Sequence, residues 1–239
     1  MNERMGRAAE VSRTPARRKF QGYKPEKPKV VRMQDVREDR KLAALVEAYK
    51  AIDFGTLSIM PVAEFLESVE KLNEGYAAIF TDLWEMRLDY GPGQVEKLSV
   101  LAPELQKITR IDKIKWAGKT KEGELLGLFF SALINLGGKE SYRLYAGEIQ
   151  MDGLGYRSEK NIEIFGDVRH YLGARLRGGS VVLQGNCRST VGQGMTAGEI
   201  HVNGTVFDDK GKPAKSVYER ISPPVGGKIF HNGKLVFDK

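Results

Sequence analysis

Gly179-Ser-Val-Val-Leu-Gln-Gly185 and, nineteen residues later, Gly198-Glu-Ile-His-Val-Asn-Gly204 follow one formula: glycine, polar, apolar, any, apolar, any, glycine. Gly147-Glu-Ile-Gln-Met-Asp-Gly153 and Gly227-Lys-Ile-Phe-His-Asn-Gly233 repeat it, and a fifth copy, 160–166, keeps Ile162, Ile164 and Gly166. Internal repeats are read before local propensity. Gly166, Gly185 and Gly204 stand nineteen apart, as do Gly173 and Gly192, and Gly179 and Gly198. The apolar positions keep the same step: Ile162, Val181, Ile200; Ile164, Leu183, Val202; Val168, Cys187, Val206. Leu172 aligns with Val191, and Leu176 with Met195.

Alternating apolar residues make a strand with one inward face. Coils of equal length place equivalent residues above one another, so the inward faces become ladders. Glycines Gly166, Gly173, Gly179, Gly185, Gly192, Gly194, Gly198 and Gly204 are read as coil corners. No coil can bury its face alone, so the pattern predicts a parallel β-helix. Asn203-Gly204 and Asn232-Gly233 would also suit hairpins, but hairpins do not require a fixed period. Between Gly204 and Gly233 the spacing is 29, so an insertion near 208–224 is expected to loop out. Residues 229–237 are expected to close as a hairpin.

Upstream the pattern is helical. Leu42, Leu45, Val46 and Tyr49 share one helix face. Pro61 suits a first helical turn, and Val62, Phe65, Leu66, Val69 and Leu72 continue a stripe to a stop expected near Asn73 and Gly75. A third segment, 76–88, follows. Gly91-Pro92-Gly93 reads as a turn, with short helices near 94–101 and 103–111. Glu122 to Leu136 is apolar nearly all round, predicting a helix buried between two layers and stopped by Gly137-Gly138. It is expected to plug or flank the solenoid end. The expected class is α+β: a disordered basic tail over 1–32, a helical domain over 33–138, and a β-helix over 139–239.

The net charge of +7 is concentrated in the tail, where residues 1–32 hold ten basic and three acidic residues. Pro15, Pro25 and Pro28 interrupt helix there, and few large apolar groups offset the ordering entropy. Such a tail is expected to be a solubilising arm, or one that lies along its own protein or a subunit neighbour, or else a contact for nucleic acid, an acidic lipid surface or an acidic partner protein; Phe20 and Tyr23 are its aromatic residues. No apolar run approaches the roughly 20 residues of a membrane span, and no apolar h-region marks a secretory signal. With one cysteine, no internal disulfide or multi-Cys metal site is expected, and the cytoplasm is the expected compartment.

Candidate chemistry is sparse. His170, His201 and His231 share no ligand spacing, so surface or capping roles are expected and no metal or cofactor. Cys187 falls on an inward ladder as a small hydrophobe. Gly192-Gln-Gly194 lacks the strand–loop–helix context of a dinucleotide fingerprint. Arg169, Arg175, Arg177 and Arg188 fall on corner loops of adjacent coils. They are candidates for binding a phosphate or carboxylate, against the simpler reading of salt bridges to Asp167 and the helical domain. No residue is singled out as catalytic.

The segment Tyr171-Leu-Gly-Ala-Arg-Leu-Arg-Gly-Gly179-Ser-Val-Val-Leu-Gln-Gly185 resembles the glycine-repeat (GXGXG) domain at the C-terminus of the glutamate synthase large subunit. It is equally similar to the glycine-repeat subunit of formylmethanofuran dehydrogenase. The next coil, Val191-Gly-Gln-Gly-Met-Thr-Ala-Gly198, keeps the Gly-x-Gly that Arg175 interrupts in the first. The likeness covers about 90 of the 239 residues. It implies a right-handed β-helix that scaffolds a redox or one-carbon complex while the chemistry sits in other parts of the assembly. Partner subunits are therefore expected, and any oxidoreductase activity is expected to belong to the complex. The alternatives are an anion-binding enzyme using the groove between helices and coils, and a nucleic-acid-associated protein acting through residues 1–32.

Overall fold

Ile162, Val181 and Ile200 stand in a single column. In the computed structural model, β4 (Asn161–Gly166), β5 (Arg177–Gln184) and β7 (Ala197–Val202) pair in parallel, with Ile162 opposite Val181 and Val181 opposite Ile200. The structure describes residues 31–52, 65–108, 115–116, 119–120, 122–147, 151–188, 190–208, 210–218 and 223–239. The pairing extends both ways. β3 (Ser141–Gly147) brings Tyr142 beside Ile162, and β9 (Lys228–His231) brings Ile229 beside Ile200. All five residues of the column are at most 4% exposed, because inward side chains of successive rungs cover one another.

The coils make roughly three turns of β-solenoid over residues 141–207. On a second side, β6 (Cys187–Arg188) and β8 (Val206–Phe207) pair in parallel, with Cys187 against Val206 and the amide of Val168 donating to Asn186 O at 2.9 Å. The third side is a stack of turns, in which Gly173 N donates to Leu154 O and Gly192 N to Leu172 O, each at 2.8 Å. Gly185 and Gly204 are required by close approach. A Cβ on either would lie 2.1 Å from the carbonyl oxygen of the glycine one coil below, Gly166 and Gly185 respectively. Polar side chains also ladder. Asn186 N donates to Asp167 Oδ1, and Thr205 N to Asn186 Oδ1, each at 2.8 Å.

Two expectations about the repeats are corrected. Of the copy at 147–153, Gly147 ends β3 opposite Gly166, residues 148–150 lie outside the described residues, and 151–153 form no strand. The rung beside β4 is Ser141–Gly147, whose residues 141–145 stand twenty before their partners and whose Gly147 stands nineteen before Gly166, the difference taken up by a bulge at Ala146. The insertion after Val206 also does more than loop out. Val217 is 6% exposed within the core and its carbonyl accepts the Val191 N–H at 3.4 Å, while Pro213 bridges Phe207.

The C-terminal hairpin forms as expected. Asn232 and Gly233 take φ of 48° and 76°, the left-handed pair of a two-residue turn. β10 (Lys234–Asp238) returns antiparallel to β9 as the outer edge of the six-stranded sheet, with a bulge between Leu235 and Phe237. A bulge and charged ends both discourage further strand addition.

The helices are α1 (Met33–Glu38), α2 (Arg40–Ala51), α3 (Phe65–Met86), α4 (Pro92–Ile108) and α5 (Glu122–Leu136); a short ribbon of β1 (Lys115–Trp116) and β2 (Lys119–Thr120) lies between α4 and α5. Leu42, Leu45, Val46 and Tyr49 of α2 are buried as their spacing predicts. Asp39 precedes α2 and accepts both Leu42 N–H at 3.1 Å and Lys97 Nζ of α4 at 2.9 Å. The Lys97 hydrogen bond, first among its causes, holds that carboxyl below its usual range.

The stop expected near Asn73 and Gly75 is absent: α3 runs through both. Gly75 is buried, so packing outweighs the roughly 1 kcal/mol helical penalty of glycine. The two short helices expected after Gly91 are likewise one, α4, with Pro92 at its first position and Pro103 inside it. Pro61 and Val62 lie outside the described residues.

α5 sits where its composition places it, with residues 126–134 all buried. It lies against the first coil. Ser131 Oγ is 2.8 Å from Gly153 O and accepts the Tyr156 N–H at 3.2 Å. α4 covers β3, with Tyr145 N donating to Ser99 Oγ at 2.9 Å. Helices and coils share one cluster of buried side chains running from Val36 to Ile229.

Candidate functional site

The outward side of the parallel sheet is a row set by register: Arg143, Glu163, Val182, His201 and Phe230, one from each of β3, β4, β5, β7 and β9. Arg143 Nε approaches Glu163 Oε2 at 3.3 Å, and the His201 ring stacks on Phe230 with centroids 4.4 Å apart and planes 3° from parallel. A trough of about 450 Å³ runs over Arg143, Glu163 and Val182 up to Glu96 of α4.

A second depression lies between α3 and the coil corners. It holds about 490 Å³ and is walled by Tyr76 and Phe80 on α3, floored by Asn135 of α5, and faced by Arg157, Lys160 and Arg177. Asn135 Nδ2 donates to Tyr76 Oη at 2.8 Å and to Tyr156 O at 3.0 Å. Burial raises the Tyr76 and Tyr156 pKa values above the phenol range, while Arg157 and Arg177 pull both the other way and Arg175 pulls Tyr156. Both hydroxyls therefore stay protonated at neutral pH.

The four arginines singled out in the sequence divide. Arg169 and Arg188 stack on the β6 side, with Arg188 N donating to Arg169 O at 2.9 Å. Arg169 Nη1 is 3.9 Å from Asp152 Oδ2, and Arg188 Nη1 donates to Asp208 O. The salt bridge expected to Asp167 does not form; Asp167 instead holds Asn186. Arg175 and Arg177 belong to the opposite corner, where Arg177 lines the α3 groove. Arg157, which sequence reasoning missed, completes that group. It occupies in the first coil the corner position that Arg175 takes in the second, eighteen residues on, with φ of 55° and 54°.

The histidines are dispersed. His170 Nδ1 lies 3.4 Å from Thr190 Oγ1, and His201 Nε2 lies 3.3 Å from Glu199 Oε2. His231 pairs with Val202 at the top of an inward column, and its Nε2 is 2.8 Å from Gly204 O. Among the described residues no three His, Cys, Asp or Glu side chains converge as a metal set, and no helix is long and apolar enough to cross a membrane.

Cys187 is 2% exposed. Burial, with Asp167 adding to it, pushes its thiol from the ordinary 9.0 up to about 12. An acid whose folded pKa is raised withdraws stability as pH climbs above the unfolded value, so Cys187 destabilises the fold from about pH 9.0 upward. At pH 8 the thiolate fraction is about a thousandfold lower folded than unfolded. Iodoacetamide at that pH is expected to leave the native thiol unlabelled over hours and to label it within minutes in denaturant. Rapid native labelling, read by mass spectrometry, would contradict the ladder position.

Comparison of the chain with protein-family models, with curated proteins and with solved structures finds no match.

Proposed function

We propose that the chain is a non-catalytic assembly module of the glycine-repeat type, its coils right-handed, holding a partner subunit of a redox or one-carbon complex against the outer sheet face. The observation that supports it most is the register of the five parallel rungs, which holds Arg143, Glu163, Val182, His201 and Phe230 in one row. Five strands at about 4.8 Å spacing give a face about 19 Å wide. The row mixes one ion pair, one aliphatic side chain and one stacked ring pair, the mixed polar and apolar composition of a docking surface. Any oxidoreductase chemistry then belongs to the partner.

The test is the native size of the protein in extracts of its own cells. The wild-type chain is expected to elute well above its own 26.7 kDa. Val182→Arg, which places a bulky charged side chain at the centre of the row, is expected to shift it to the monomer position without altering its melting temperature. Wild-type chain eluting alone would remove the reading. So would Val182→Arg leaving a large assembly intact.

A further inference from the structure

Arg157 and Arg177 both line the α3 groove, with Arg175 on the same run of corners and Glu159 as the acidic residue of the lining. Among the described residues, none of Arg157, Arg175 and Arg177 makes an ion pair. Arg157 Nε is buried with no hydrogen-bond partner, and its guanidinium lies 6.0 Å from the Tyr156 ring centroid. A buried donor left unmatched is destabilising, the more so when charged. The backbone adds to the anomaly. Arg157 and Arg175 hold φ of 55° and 54°, while the equivalent residue of the third coil is Gly194 at 62°. Glycine fits that conformation without steric cost, so the corner itself does not call for arginine.

The groove offers what those arginines lack. Its charged lining is Arg157, Lys160 and Arg177 against Glu159. Lys160 is also held by Glu140 at 3.0 Å, a carboxylate that is 78% exposed and therefore a weak competitor. The Tyr76 hydroxyl accepts from Asn135 and keeps its own proton to donate. Tyr76 and Phe80, with centroids 5.6 Å apart and planes tilted by 38°, provide an aromatic wall. Trp84, one turn beyond Phe80 on α3, is 66% exposed. The volume, about 490 Å³, is in the range that small-molecule sites occupy.

We propose that this groove binds a small aromatic phosphate monoester, its dianion held by Arg157 and Arg177 with the Tyr76 hydroxyl, and its ring laid against Tyr76 and Phe80. Guanidinium forks match phosphate oxygens bidentately, and two unpaired arginines favour a dianion over a monoanion. The site is separate from the outer sheet face and does not depend on the docking reading.

Titration of the full chain with phenyl phosphate, by calorimetry at low salt, tests it. Saturable binding is expected below about 1 mM, at least tenfold tighter than inorganic phosphate or benzoate. It is expected to weaken as ionic strength rises. Arg157→Gly suits the left-handed corner and is expected to fold at least as stably as wild type. Arg177→Gln alters a solvent-exposed position. Each is expected to weaken phenyl phosphate binding about tenfold or more. Absence of binding at about 5 mM phenyl phosphate overturns the proposal, as does unchanged affinity in both variants. Benzoate binding as tightly as phenyl phosphate overturns the assignment to phosphate.

Discussion

Replacing Gly127 by alanine is expected to lower the melting temperature by about 10 °C or more, corresponding to a loss of about 3 kcal/mol or more. Helix propensity predicts the reverse, since alanine is better than glycine inside a helix by about 1 kcal/mol. The packing decides the sign. A Cβ at position 127 would lie 1.8 Å from the carbonyl oxygen of Asp152 and 2.7 Å from its carbon, both backbone atoms of the first coil. Neither can rotate away, so α5 and the coil must separate, pulling Ser131 from Gly153 and Tyr156. Gly93→Ala in α4 is the matched control, because nothing lies within 4 Å of a Cβ there. It is expected to raise the melting temperature slightly. Thermal unfolding of the two variants side by side measures this; a stabilised Gly127→Ala would mean that α5 does not rest on the coil backbone.

Ile200→Ala is the second large effect, a loss of about 3–4 kcal/mol, near 10 °C in melting temperature. Ile200 is fully buried between Val181 and Ile229, and its Cδ1 reaches the glycine-lined turns, 2.5 Å from where a Cβ on Gly173 would stand. Rigid rungs above and below leave little room for collapse, so most of the vacated volume persists as a void. Ile200→Val removes one methylene and is expected to cost about 1 kcal/mol. Denaturant titration of the pair checks this. Equal losses for the two variants would show that the column is not close-packed.

The middle of the solenoid could be read from the sequence because its spacing is invariant. Val181 and Ile200 stand one period apart, and a parallel ladder turns that arithmetic into contact. The first coil escaped because its deviations compensate. Tyr142 precedes Ile162 by twenty residues, while Gly155 and Arg157 precede Gly173 and Arg175 by eighteen. A search holding the period at nineteen passes over both. Aligning Leu154-Gly155-Tyr156-Arg157 with Leu172-Gly173-Ala174-Arg175 would have found the missing corner, and with it the arginine of the groove.

The helical region was legible where burial follows periodicity, as in α2. It failed at Gly75 and Pro103, where residues that locally end helices are overruled by long-range packing. The groove itself was not legible residue by residue. Tyr76, Asn135 and Arg157 approach one another only because α5 aligns α3 with the first coil.

Closed at one extremity by α4 and α5 and blunted at the other by a bulged, charged return strand, the stack resists recruiting another molecule to prolong itself. Internally, however, every layer touches just the layers adjoining it. A duplicated segment of nineteen codons between Gly185 and Gly204 would therefore slide in as one additional storey, about 4.8 Å thick, leaving both lids untouched. Storey count is thus an adjustable ruler, setting how far the helical end stands from the hairpin end without requiring any new contact to evolve.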